Sequence, residues 1–86
     1  MVIVSQDRKF ALNSDCVCWY EKGRERKFDT HYKDYWCQII AVVNNEWQHN
    51  HILGWYRTEE EANEVFNNLL DALEDERKTY WMEVAK

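Results

Sequence analysis

The chain predicts an α+β fold: an antiparallel sheet of four or five strands with a single long C-terminal helix packed on one face. Three observations carry this. Short β-branched and aromatic runs separated by turn residues fill positions 1–57, as strands do. The apolar residues of 58–80 recur at helical spacing instead. Two Gly, no Pro and 31% charged residues leave no linker or low-complexity tract, so 1–86 reads as one domain with strands within 1–57 and a helix at about 58–80.

Val2, Ile3 and Val4 form a β-branched run broken by Ser5-Gln6-Asp7, and Phe10-Ala11-Leu12 follows before Asn13-Ser14-Asp15. That pattern predicts a short hairpin. Residues 16–22 alternate and stop at Gly23, leaving 24–34 as a charged loop or strand extension. Tyr35–Val43 carries Ile39, Ile40, Val42 and Val43 on both pleat faces, the pattern of a central strand covered on both sides. Asn44-Asn45-Glu46 is a turn signal, and 47–56 returns as the partner strand.

Thr58-Glu59-Glu60-Glu61 has the capping-box arrangement that opens a helix. Ala62, Val65, Phe66, Leu69, Leu73 and Tyr80 form its apolar stripe, with Glu60, Glu64, Asn67, Asp71, Glu74 and Lys78 opposite. The periodicity runs on through Arg77, Tyr80, Trp81 and Val84, so the helix is expected to overhang the sheet with Tyr80, Trp81 and Met82 at its far end.

Composition narrows the function. An 86-residue chain buries only about 60–65% of its surface on folding, which leaves little volume for an active cleft. The longest apolar run, 39–43, is far short of the roughly 20 residues that span a bilayer. The first residues lack the charged start of a signal peptide, and a cytoplasmic location is expected. Three Cys fit reduced thiols better than a disulfide scaffold. The net charge of −5 opposes binding to a phosphate backbone. It is also unevenly placed: 1–57 holds seven acidic and eight basic residues, 58–86 nine and three.

From Glu59 to Glu76 there are eight carboxylates and no Lys or Arg. A surface helix ordinarily mixes signs to gain pairs at i,i+4, whereas this one accepts repulsion between Glu60 and Glu64 and between Asp71 and Asp75. Glu60, Glu64, Asp71, Glu74 and Asp75 are therefore candidates for contact with a basic partner, against the commoner reading of a solvated outer face.

Four aromatic doublets stand out: Trp19-Tyr20, Tyr35-Trp36, Trp55-Tyr56 and Tyr80-Trp81. Neighbours on a strand point to opposite faces, so each strand doublet places one ring on the face away from the helix. Trp36, Trp55, Tyr80 and Trp81 are the candidate anchors; the bland reading is that large rings fill two thin cores. Stacking of single-stranded bases, aided by Lys22, Arg24, Arg26 and Lys27, is opposed by the helix charge.

Cys16, Cys18, Cys37 and His49 or His51 offer zinc-type ligands, but the usual Cys spacing is missing, and buried thiols with surface histidines are the simpler expectation. A Cys–His pair of Cys37 or Cys18 with His31 rests on no motif, and no phosphate loop or nucleophile elbow is present. No catalytic residue, metal or cofactor is expected.

Met1-Val2-Ile3-Val4-Ser5-Gln6-Asp7 and Ile52-Leu53-Gly54-Trp55-Tyr56-Arg57-Thr58-Glu59-Glu60-Glu61-Ala62 resemble a group of small proteins from Gram-positive bacteria and their phages, with short strands followed by one C-terminal helix. The 24–34 segment and the aromatic doublets depart from that pattern. The resemblance implies origin in a phage or mobile element. Small acidic proteins of that origin resemble, as a class, inhibitors of bacterial defence systems, anti-CRISPR proteins among them. The expected function is thus a non-catalytic protein-binding module, with self-association through Tyr80, Trp81 and Met82 as the alternative and a Cys/His metal site behind it.

Overall fold

The computed structural model describes residues 1–26, 35–43 and 50–85, with the backbone alone at 24–26 and 35–36. In chain order the elements are β1 (Val2–Val4), β2 (Ala11–Asn13), β3 (Val17–Arg26), β4 (Tyr35–Val43), β5 (Asn50–Tyr56), the helix α1 (Glu59–Glu74) and β6 (Thr79–Trp81). The fold is α+β, but the described strands form two three-stranded sheets, β2-β1-β6 and β3-β4-β5, rather than one sheet of four or five.

The predicted hairpin is present: Val2 pairs with Asn13 and Val4 with Ala11, antiparallel. A 3-10 turn at Ser14–Cys16 leads into β3, with Asn13 as its cap. Gly23 does not end β3. It lies opposite Gln38 inside the ladder, where a Cβ would come within 3.0 Å of Ile40 Cδ1, so the glycine makes room instead of turning the chain. The 24–34 loop is shortened accordingly, since 24–26 belong to β3, while 27–34 lie outside the described residues, as do 44–49.

Tyr35–Val43 is the central strand of its sheet, as its pattern predicts. Ile39 and Ala41 are buried on one face and Gln38 and Val42 on the other. Between β4 and β5 the register shifts after Ile39, which pairs with Gly54 while Ile40 pairs with Ile52, so Leu53 bulges. The bulged carbonyl accepts the Gln6 N–H at 2.8 Å. The Gln6 side chain then acts like a peptide unit on the edge of β5 away from β4: its Nε2 donates to the Trp55 carbonyl at 2.8 Å, and the Trp55 N–H donates to its Oε1 at 2.9 Å. Gln6 thereby joins the two sheets.

The helix is shorter than the periodicity predicts. Glu76 takes a left-handed φ of 54°, its N–H bonds the Leu73 carbonyl, and the Arg77 N–H bonds the Ala72 carbonyl. Those two bonds are a Schellman motif, which terminates helices. Beyond it the 79–81 segment is a strand, with Ile3 opposite Tyr80 and Val4 opposite Trp81, parallel to β1. Tyr80 and Met82 are therefore buried parts of the core and do not overhang it. One apolar cluster unites Ile3, Tyr80 and Met82, the β4 and β5 residues Ile39, Ala41, Leu53 and Tyr56, and the helix residues Ala62, Val65, Leu69 and Ala72. Each fully buried Leu or Ile in it contributes on the order of 2 kcal/mol. Phe66 and Leu73 of the predicted stripe border this cluster, whereas Ala72 lies inside it.

Candidate functional site

The helix presents its acids as the spacing predicts. Thr58 is its N-cap, in extended conformation, and Thr58 Oγ1 accepts the Glu61 N–H at 3.1 Å. Glu60, Glu64, Asp71, Glu74 and Asp75 are all exposed. Leu70, 41% exposed, lies one turn from Asn67 and Glu74 and supplies an apolar point among them.

The two ends of the helix differ in electrostatics. Glu59, Glu60 and Glu61 occupy the first turn, where the helix dipole favours negative charge, but the last turn carries Glu74 with Asp75 and Glu76 beyond it and no basic residue. Carboxylates at the negative pole cost about 0.3–1 kcal/mol each. The Arg77–Asp75 pair, 3.7 Å apart and largely exposed, offsets little of this. The acid run therefore extends past the point where it helps the helix.

The aromatic doublets divide by residue type. In Trp19-Tyr20, Trp55-Tyr56 and Tyr80-Trp81 the tyrosine joins or borders the core cluster, while Trp19 and Trp81 are exposed and Trp55 is half-buried. Register places Trp19 beside Val42 and Trp55 beside Gln38, on the face of β3-β4-β5 away from the helix. Trp81 is 58% exposed on the outer face of the other sheet, with the Arg8 guanidinium 4.8 Å from its ring centre. Tyr80 does not share that surface: its hydroxyl donates to the Glu83 carboxylate. Trp36 occupies the β4 position opposite Glu25, and its ring lies outside the description. Of the three residues expected to mediate self-association, Tyr80 and Met82 are buried and Trp81 alone is at the surface.

No protein-family model, curated protein or solved structure matches this chain.

The sulfur and imidazole groups are dispersed. Cys37 pairs with Arg24, whereas Cys18 sits in the bulge between Val17 and Trp19, opposite Val42 and Val43. Five strand residues separate the two thiols, roughly 17 Å, too far to share a zinc ion. Cys16 and Cys18 are exposed, contrary to the expectation of buried thiols, and Cys37 is half-buried. The His51 ring lies 5.7 Å from that of Phe10, while His31 and His49 fall outside the described residues. Among the described residues no three His, Cys, Asp or Glu side chains come together as a metal site.

A cavity of about 430 Å³ opens between β3, β4 and the start of the helix, lined by Lys22, Gly23, Cys37, Glu59 and Ala62. Spacing had not foretold it, since it depends on how the helix start meets β3. The Lys22 ammonium beside it bonds Asn63 Oδ1 and lies 5.5 Å from the Phe66 ring centre. Those contacts tie the outer strand to the helix.

Proposed function

We propose that this chain is a non-catalytic, acidic protein-binding module that docks the helix face of Glu60, Glu64, Asp71, Glu74 and Asp75 on a basic surface of a larger partner. The observation that carries the reading is the run of carboxylates continued to the negative pole of the helix without a basic residue in its last turn. Acids retained where they weaken their own helix serve something other than the fold. Leu70 supplies the apolar point within that face, and Trp55 on β5 and Trp81 on β6 supply aromatic anchors for further parts of the partner, away from the helix contact.

A partner that handles nucleic acid offers the basic surface such a face complements. Together with the resemblance of the 1–7 and 52–62 segments to small Gram-positive and phage proteins, this favours an inhibitor from a phage or mobile element, acting on a defence target in the manner of anti-CRISPR proteins. The test is affinity capture from a Gram-positive bacterial lysate, with wild-type protein and the triple variant Glu64→Lys, Asp71→Lys, Glu74→Lys as paired baits. The reading predicts a basic, nucleic-acid-handling protein that binds wild type, is released by raised salt and is absent from the variant. Equal capture by both baits contradicts it.

A further inference from the structure

β3 is ten residues long and lies at the edge of its sheet. One side is paired with β4 along its length, and among the described residues no strand pairs with the other side. An open edge of this length is a template for a further strand.

The order of charges on it is specific. Acids stand at positions 21 and 25, and bases at 22, 24 and 26. The alternation of faces is visible at its start: Lys22 reaches the helix side at Asn63, while Glu21 Oε2 accepts from Trp19 Nε1 at 3.4 Å. Two copies of a strand joined antiparallel about a two-fold axis keep their faces aligned, so odd positions meet odd and even meet even. With the axis at Gly23, Glu21 would meet Glu25 and Lys22 would meet Arg24. Shifting the axis to any of residues 21–26 likewise sets a charge against its own kind. Registers centred nearer Val17 run into the bulge at Cys18. Like charges directly opposite each other destabilise a strand pair, so this edge repels its own copy.

We propose that the edge of β3 left unpaired among the described residues is a strand-addition site for a foreign extended segment, basic opposite positions 21 and 25 and acidic opposite positions 22, 24 and 26, and closed to a second copy of this chain. The proposal concerns a different surface from the acidic helix and stands or falls separately.

Two ten-residue peptides under reducing conditions test it against the intact protein. One has the sequence of Val17–Arg26 itself. The other carries Glu21→Lys, Lys22→Glu, Arg24→Glu, Glu25→Lys and Arg26→Glu, so backbone and apolar residues are the same. Amide chemical-shift titration should show the inverted peptide binding β3 about tenfold more tightly than the native one, with shifts concentrated at residues 17–26, and the protein alone should sediment as a monomer. Equal binding of the two peptides, no response of the β3 amides, or a wild-type dimer whose β3 amides are protected at its interface would overturn the proposal.

Discussion

At the scale of single residues, backbone strain stands at the helix end, in Glu76. It holds a left-handed φ of 54°, which costs a non-glycine residue about 1 kcal/mol, and it adds a negative charge beyond the helix C-terminus. Glu76→Gly should raise stability by about 1 kcal/mol, read as a higher urea midpoint at unchanged slope; a lower midpoint would show that the carboxylate has a stabilising partner.

The buried phenols give a pH dependence. Tyr56 Oη donates to the Glu83 carbonyl at 2.8 Å, and the Tyr80 hydroxyl donates to the Glu83 carboxylate. Burial first, then the Glu83 charge for Tyr56 and the Glu83 hydrogen bond for Tyr80, push both above the usual tyrosine value of 10.0. A raised native pKa means that the folded state keeps protons the unfolded chain gives up. The stabilisation is therefore complete below pH 10 and declines as pH rises beyond it, by up to about 1.4 kcal/mol per pH unit for each phenol. Alkaline titration should show their tyrosinate absorbance appearing together with loss of near-UV circular dichroism. Ionisation of all five tyrosines in an intact fold would contradict this.

At the scale of elements, Gln6 joins β5 to the first sheet through its side-chain amide. Gln6→Ala should cost about 1–3 kcal/mol, because it leaves the Trp55 N–H and carbonyl without that partner, and the Trp55 amide should exchange faster with solvent. Unaltered exchange would mean that another group holds the β5 edge. This junction shows what the sequence could convey. Val2–Val4, the strand at 35–43 and the helix start at Thr58 were legible because β-branching, two-sided apolarity and a capping box are local signals. Gln6 was not, since a glutamine in a turn looks like any polar residue until the Leu53 bulge turns a carbonyl toward it. The helix end was missed for a related reason: Tyr80 and Trp81 continue the 3.6-residue pattern, yet a Schellman motif without glycine stops the helix at Glu74. Tyr80, an expected anchor, is therefore core. The acidic face was legible because exposure of Glu60, Glu64, Asp71 and Glu74 follows from the same periodicity that buries Val65 and Leu69.

At the scale of the whole molecule, the acid excess of 58–86 lies mainly on the exposed surface of the helix. The helix carries exposed carboxylates around Leu70, the face of β3-β4-β5 away from the helix carries Trp19 and Trp55, and the outer face of the other sheet carries Trp81, while the tyrosine of each of these doublets joins or borders the core cluster. None of the described helices is long and apolar enough to cross a membrane. On the reading proposed above, electrostatic attraction by the helix brings the module to a basic partner and sets the salt dependence of binding. The most direct measurement is the Kd of the captured partner for wild type and for the variant Glu64→Lys, Asp71→Lys, Glu74→Lys, at two salt concentrations, with circular dichroism showing that both are folded. Binding at least about 100-fold weaker in the variant, with most of the salt dependence lost, is the predicted result; an unchanged Kd in a folded variant would contradict the acidic helix as the binding surface.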